Sequence, residues 1–169
     1  MTELYLVRHG ETFDNARQLM QGQVQGELND RGKAQAEAVA RQLGDEHFDA
    51  IVSSDLYRAV QTAEIIARPH HLKVITTPLL RERDWGDFTG RYIPDLKGLP
   101  FPENTETMEH MLGRARQFLD FIRDNYPDSR VLAVGHGIMN KAVQAVVFGK
   151  KTSEIVRMEN AEVRILTLS

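Results

Sequence analysis

Two short apolar runs in this chain end in the same way, and together they narrow what it can fold into. Leu4 to Val7 runs into Arg8-His9-Gly10, and Val131 to Val134 runs into Gly135-His136-Gly137. A short apolar run that stops at glycine reads as a strand buried on both faces. In open α/β sheets, ligands bind outside the carboxyl ends of the strands. Glycine there lets the backbone turn sharply and approach a ligand. Arginine offers a planar fork of donors that fits phosphate oxygens. Neutral imidazole is a nucleophile near pH 7. Arg8, His9 and His136 therefore stand where such a sheet puts its chemistry, although an isolated Arg-His-Gly is equally a strand end with solvated polar residues.

The remaining pattern alternates strands with helices. Ala50-Ile51-Val52 and Val74-Ile75-Thr76 read as further short strands. A helix is expected from about Arg31 to Leu43, capped by Asn29 or Asp30, with Ala34, Ala38, Val39 and Leu43 inward. A second follows the capping chemistry of Ser53-Ser54-Asp55, carries Leu56, Ala59, Val60, Ala63, Ile66 and Ala67 at helical spacing, and stops at Pro69. A third carries Met108, Met111, Leu112, Ala115, Phe118, Leu119 and Ile122. A fourth carries Met139, Ala142, Val143, Val146 and Val147. Ala161 to Leu168 suits an edge strand with Ala161, Val163 and Ile165 inward. This order argues an α/β fold: a three-layer α/β/α sandwich with a mostly parallel central sheet and helices on both faces. Phe13 to Leu28 is an amide-rich loop with room for one helical turn, and its amides, Asn15 and Gln21 among them, suit a ligand at the strand end. Residues 91–104 hold three of the six prolines and fit no regular element. They read as a connecting loop or short lid whose Tyr92, Leu96, Leu99 and Phe101 can fold down.

Composition excludes several functions. A chain of 169 residues suits a single domain, 1–169. A net charge of −3 gives no general affinity for nucleic acid or an anionic membrane. The absence of cysteine excludes disulfides and thiolate metal sites and fits a reducing, cytoplasmic setting. Glu3, Arg8 and His9 within the first ten residues fit neither a signal peptide nor a membrane span. No Asp, Glu and His cluster has metal-ligand spacing, so no metal and no cofactor are expected. His47, His70, His71 and His110 lack convergent partners and read as structural or surface residues.

Three further positions bear on chemistry. Arg58 falls in the first turn of a helix, where a cation is disfavoured unless an anion lies nearby. The run Arg81 to Asp87 offers Glu82, and secondarily Asp84, as a proton donor near a cationic site. The helix that begins at Gly137 presents free N–H groups to an anion.

Four segments in order resemble the histidine phosphatase superfamily, in its phosphoglycerate-mutase-like branch. They are Leu6 to Thr12 with Asn15, Ser53 to Ala63, Leu80-Arg81-Glu82 with Gly86 and Gly90, and Val134 to Gly137. The resemblance spans nearly the whole chain. It implies that His9 accepts the phosphoryl group and that Arg8, Arg58 and His136 surround it. Glu82 would be the proton donor, Asn15 an accessory phosphate contact, and Gln21 and Gly137 further phosphate-binding candidates. Asp55 stands where proline is common, Thr89 where glutamate is common and Asn140 where arginine is common; the last two bear on substrate identity. The implied activity is hydrolysis of phosphate monoesters of small metabolites without a metal. The alternatives are a phosphoglycerate mutase and, from another class, a non-catalytic phospho-ligand-binding protein. The expected partner is a small phosphorylated substrate, with the protein a monomer or homodimer.

Overall fold

The computed structural model describes residues 1–169. Strands β1 (Thr2–Arg8), β2 (Ala50–Ser54), β3 (Val74–Thr77), β4 (Arg130–Gly135) and β5 (Val163–Leu168) form one sheet in the order β3-β2-β4-β1-β5. All neighbours are parallel except β5, which runs antiparallel to β1 at the edge. The helices are a single turn, α1 (Phe13–Ala16), then α2 (Asp30–Gln42), α3 (Tyr57–Ala67), α4 (Met108–Asn125) and α5 (Gly137–Phe148). None is long and apolar enough to cross a membrane.

Side-chain alternation along the central strands builds two cores. Leu4, Leu6, Val52, Val131 and Ala133 face α4 and α5, packing on Met111, Phe118, Leu119, Met139 and Val143. Tyr5, Val7, Ile51, Leu132 and Val134 face the other way, onto Val39 and Leu43 of the α2 region and Ala59, Ala63 and Ile66 of α3. The three-layer sandwich follows from those two faces.

Some local expectations hold and others need correction. Asn29 caps α2, its side chain accepting from Gly32 N. Ala34 and Ala38 are exposed; the buried stripe is Gly32, Ala36, Val39, Ala40 and Leu43. Alanine at most of these positions leaves the face undetermined by hydrophobicity alone. Ile165 is 56% exposed and the buried pair on β5 is Leu166 and Leu168, while Ala161 and Val163 pack at the margin of the second core. The side-chain capping expected of Ser53-Ser54-Asp55 is not made: the N-cap of α3 is Leu56, and Ser54 Oγ accepts from Leu56 N at 3.3 Å, just before the helix. Residues 91–104 contain one 3-10 turn, Ile93–Leu96, where Pro94 presets the backbone.

One close approach ties the loop after β1 to α2. A Cβ on Gly32 would lie 2.0 Å from Glu11 O, and one on Gly10 would lie 2.5 Å from Gly32 O. In an unconstrained helix, Gly→Ala stabilises by about 0.5–1 kcal/mol. Here the sign should reverse. Gly32→Ala is expected to destabilise by about 1–3 kcal/mol through overpacking, lowering Tm by roughly 2–4 °C per kcal/mol in a chain of this size. A thermal melt in which Gly32→Ala matches or exceeds the parent protein would contradict the contact.

Candidate active site

The site forms where β1 and β4 end. Their register sets Arg8 against Gly135, and His9 N donates to Gly135 O at 3.2 Å. The next residue on each strand is a histidine, and the two rings lie 5.1 Å apart. His9 Nδ1 lies 2.7 Å from Gly10 O. A carbonyl only accepts, so Nδ1 carries the proton and Nε2 keeps its lone pair. His136 Nε2 lies 2.8 Å from Ser54 Oγ, while its Nδ1 is buried without a partner. The Ser54 hydroxyl has no other acceptor, so it donates to Nε2 and leaves the proton on Nδ1. Burial first, then the charges of Arg58 and Arg8, holds the His9 pKa well below 6.5. Burial first, then Arg58, His9 and Arg8, does the same to His136.

Arg8 and Arg58 are 8% and 1% exposed, and neither forms an ion pair. Arg8 Nη1 donates to Met158 O at 2.9 Å. Arg58 Nη2 donates to Gly22 O at 2.7 Å, and its Nη1 donates to the carbonyls of Val24 and Gln25. In both, Nε is buried without a partner. Burial, then the neighbouring Arg157, lowers Arg8 to about 10, and burial lowers Arg58 to about 10. Both remain cations at neutral pH.

Glu82 enters from the segment after β3 and is buried. Its carboxylate accepts from Ile138 N and Met139 N, each at 3.1 Å, and from Arg83 N at 2.9 Å. The first turn of α5, expected to offer its free N–H groups to an anion, thus gives two of them to Glu82. Asp84 is exposed and outside this cavity, its Oδ1 accepting from Gly86 N.

These groups line a cavity of about 220 Å³ with Asn15, Gln21, Ile93, Trp85 and others. Asn15 Oδ1 accepts from Thr12 N and from Asn160 Nδ2, leaving Nδ2 as its donor. Gln21 Oε1 accepts from Thr12 Oγ1 at 2.9 Å. His136 lies behind the cavity wall, fully buried. A Cβ on Gly137 would sit 3.2 Å from Arg157 Nε and 3.5 Å from Arg8 Nε, so any side chain here would press on the Arg157 guanidinium, which would have to shift by a few tenths of an ångström. Asn140 does not reach the cavity; it is buried and donates to Val7 O at 3.1 Å. Of residues 91–104 only Ile93 lines the cavity, while Tyr92, Leu99 and Phe101 are exposed elsewhere. No group of three or more His, Cys, Asp and Glu stands close enough to hold a metal.

Sequence reasoning missed four contributors. Arg157 lines the cavity from the segment before β5. Ser54 orients His136. Glu106 and Arg114 form a mostly buried ion pair at 2.8 Å beneath the Glu82 segment. Arg114 donates to Leu79 O at 3.0 Å and Arg81 O at 2.8 Å, and Glu106 accepts from Asp84 N at 3.0 Å. Arg157, Glu106 and Arg114 belong to no local motif, and Ser54, although within the segment Ser53 to Ala63, carries no local sign of its contact with His136.

A sequence model of the histidine phosphatase superfamily (branch 1) matches residues 4–169. The chain belongs to that superfamily. It is 36% identical over 153 residues to the uncharacterized phosphatase PhoE of Bacillus subtilis (strain 168), covering 88% of this chain and 79% of the relative. It is 34% identical over 163 residues to a probable phosphoglycerate mutase, GpmB, of Erwinia tasmaniensis, covering 88% and 76%. Among solved structures, a mycobacterial glucosyl-3-phosphoglycerate phosphatase in complex with VO3 superposes with a TM-score of 0.90 at 30% identity, covering 98% of this chain and 92% of that one.

The two lowered histidine pKa values carry a sign for stability. Both imidazoles stay neutral when folded but titrate near 6.5 when unfolded. Below that pH the unfolded chain binds more protons, so stability falls as pH drops through about 6.5. Urea denaturation at about pH 7.5 and about pH 5 should show the loss, and His136→Gln should shrink it. An identical pH dependence in His136→Gln would argue against a neutral, buried His136.

Proposed function

We propose that this protein is a phosphatase that hydrolyses phosphate monoesters of small metabolites through a phosphohistidine on His9. The observation that carries the reading is the tautomer of His9. Its proton is fixed on Nδ1 by Gly10 O, and the ring lines a cavity shared with Arg8, Arg58 and Glu82. A non-catalytic phosphate binder needs neither the free Nε2 nor the acid. A cavity of about 220 Å³ lies below the roughly 300–1,000 Å³ typical of drug-sized ligands and suits a small metabolite.

The chemistry follows from these groups. Phosphoryl transfer spreads charge over the equatorial oxygens while the attacking and leaving groups stay in line. Nε2 of His9 attacks phosphorus, and Arg8, Arg58 and the Nδ1–H of His136 supply fixed positive density. The P–O bond of the ester breaks, and Glu82 gives its proton to the departing alkoxide. Water then attacks the phosphohistidine, and Glu82 takes back a proton as inorganic phosphate leaves. Asn15 and Gln21 offer amide donors to the phosphoryl oxygens.

The mutase alternative needs basic side chains in a capping insert to reposition the substrate and retain a phosphorylated intermediate. The segment at 91–104, which we read as a short lid on a single domain, supplies only Arg91 and Lys97. Arg91 stacks over Phe88 at 5.5 Å, and neither residue lines the cavity. Net hydrolysis is therefore favoured. A chain without cysteine suits the cytoplasm, where we place it.

Three measurements test the reading. Rapid quench with labelled substrate should trap an acid-labile, base-stable phosphoenzyme that His9→Ala does not form. Glu82→Gln should lower turnover by about 10² or more on alkyl phosphates and less on nitrophenyl phosphate, whose leaving group needs no proton; equal losses would remove Glu82 from the acid role. With 3-phosphoglycerate and a 2,3-bisphosphoglycerate primer, phosphate release should exceed isomerisation measured through enolase. Isomerisation faster by about tenfold, a barrier difference near 1.4 kcal/mol, would make the protein a mutase.

A further inference from the structure

Glu82 rides on backbone that no regular element holds. Residues 81–85 form neither helix nor strand. No backbone N–H donates to the carbonyls of Arg81 and Glu82. Their partners are side chains from distant parts of the chain. Arg114, on α4, donates through Nη1 to Arg81 O at 2.8 Å and to Leu79 O at 3.0 Å, and through Nη2 to Glu82 O at 3.4 Å. Gln23 Nε2 also donates to Glu82 O, at 3.2 Å. Beyond Glu82, Glu106 takes over. Its Oε1 accepts from Asp84 N at 3.0 Å, its N donates to Asp84 O at 2.8 Å, and its O accepts from Arg83 Nε at 2.7 Å. Arg114 and Glu106 join as a two-pronged pair, Nε to Oε2 and Nη2 to Oε1, each at 2.8 Å. One ion pair therefore grips the chain on both sides of Glu82.

Stability alone is a weak reason for such a pair, because apolar residues of the same volume often serve as well. What the pair supplies is geometry. A guanidinium is a flat fork whose donors are fixed relative to one another. Here that fork sets the carbonyls of Leu79 and Arg81 against a carboxylate that also holds Asp84. Neither Arg114 nor Glu106 lines the cavity of His9, so neither meets substrate, and their route to the chemistry runs through Glu82. The Glu82 carboxyl is placed in turn by Ile138 N and Met139 N, each at 3.1 Å. A backbone shift of about 1 Å would part it from those amides, and misplacement on that scale costs about 10²-fold in rate. We propose that Arg114 and Glu106 are positioning residues that fix the Glu82 carboxyl in the cavity, and so set its transfer of a proton to the leaving alkoxide. The inference goes beyond the phosphatase reading and rests on its assignment of Glu82 as the acid.

The test follows the burst of phosphoenzyme formation by rapid quench, so that the later attack of water does not enter. The two substrates are glycerol 3-phosphate, whose alkoxide needs a proton, and nitrophenyl phosphate, whose leaving group does not. Arg114→Lys keeps the charge and replaces the fork by a single ammonium. It should slow the burst on glycerol 3-phosphate by about tenfold or more, and on nitrophenyl phosphate by about twofold or less. Added to Glu82→Gln, the same substitution should cost about twofold or less, because residues that act as a unit are not additive. Equal slowing on both substrates, or an additive loss in Glu82→Gln, overturns the proposal and makes the pair a general support of the fold. Glu106→Gln keeps the shape and an acceptor for Asp84 N; it should repeat the pattern at smaller size, and it carries the test where Arg114→Lys does not fold. Amide NMR gives a readout independent of turnover. In both variants the Ile138 and Met139 N–H resonances should move toward their positions in Glu82→Ala. Unmoved resonances refute the positioning role even where hydrolysis slows. Shifted resonances in a protein that never forms a phosphoenzyme uphold the placement of Glu82 and refute only the phosphatase reading.

Discussion

The parallel pairing of β1 with β4 is the constraint on which the site depends. Arg8 sits opposite Gly135, so the histidines that follow fall side by side at 5.1 Å. Nothing in the site itself sets that register. It is held by apolar residues on both faces of the two strands, Leu4, Leu6, Val131 and Ala133 toward one core and Tyr5, Val7, Leu132 and Val134 toward the other. A slip of one residue would turn each strand's side chains to the wrong face. The spacing of the imidazoles is thus fixed by hydrophobic packing that continues well below the cavity.

The same packing holds charge where water is scarce. An unpaired buried ion is costly, of order several kcal/mol even after the protein relaxes. Arg8 and Arg58 meet that cost with backbone carbonyls and not with carboxylates: Met158 O for one, and Gly22, Val24 and Gln25 O for the other. Carbonyl dipoles solvate a guanidinium without cancelling its charge. Each arginine also keeps an unpartnered Nε. The resting cavity is therefore cationic and rigid, which is the arrangement electrostatic preorganisation requires. An arginine neutralised by an acid would have to break that pair before it could meet a phosphate.

What the sequence disclosed was local in origin. Arg8-His9-Gly10 and Gly135-His136-Gly137 are each legible because a strand, its end and its glycine are contiguous, and four such segments in order carry the family. The inward face of α2 was not legible, because alanines at 34, 36, 38 and 40 fit two faces and only the contact of Gly32 with Glu11 selects one. Ile165 was misplaced because an edge strand buries less, and the alternation of its apolar residues has no unique phase. Arg157, Ser54, Glu106 and Arg114 act at long sequence separation: Ser54 meets His136 across 82 residues, and Arg114 reaches Arg81 across 33. Such residues carry no mark of their role in a chain of ordinary charge content.

The start of α5 shows how two local rules compete. Free N–H groups at a helix N-terminus attract an anion, and the sequence offers phosphate for that place. The fold offers a nearer one. Glu82 takes Ile138 N and Met139 N, while Arg114 and Glu106 hold the backbone on which Glu82 rides. Those amides cannot also serve the phosphoryl group in the same geometry. Attraction of phosphate then falls to side chains, Arg8 and Arg58, whose lowered pKa values of about 10 still leave them charged at neutral pH. The helix positions the acid and the arginines bind the anion, so the proton donor and the phosphate can occupy one small cavity without contending for the same donors.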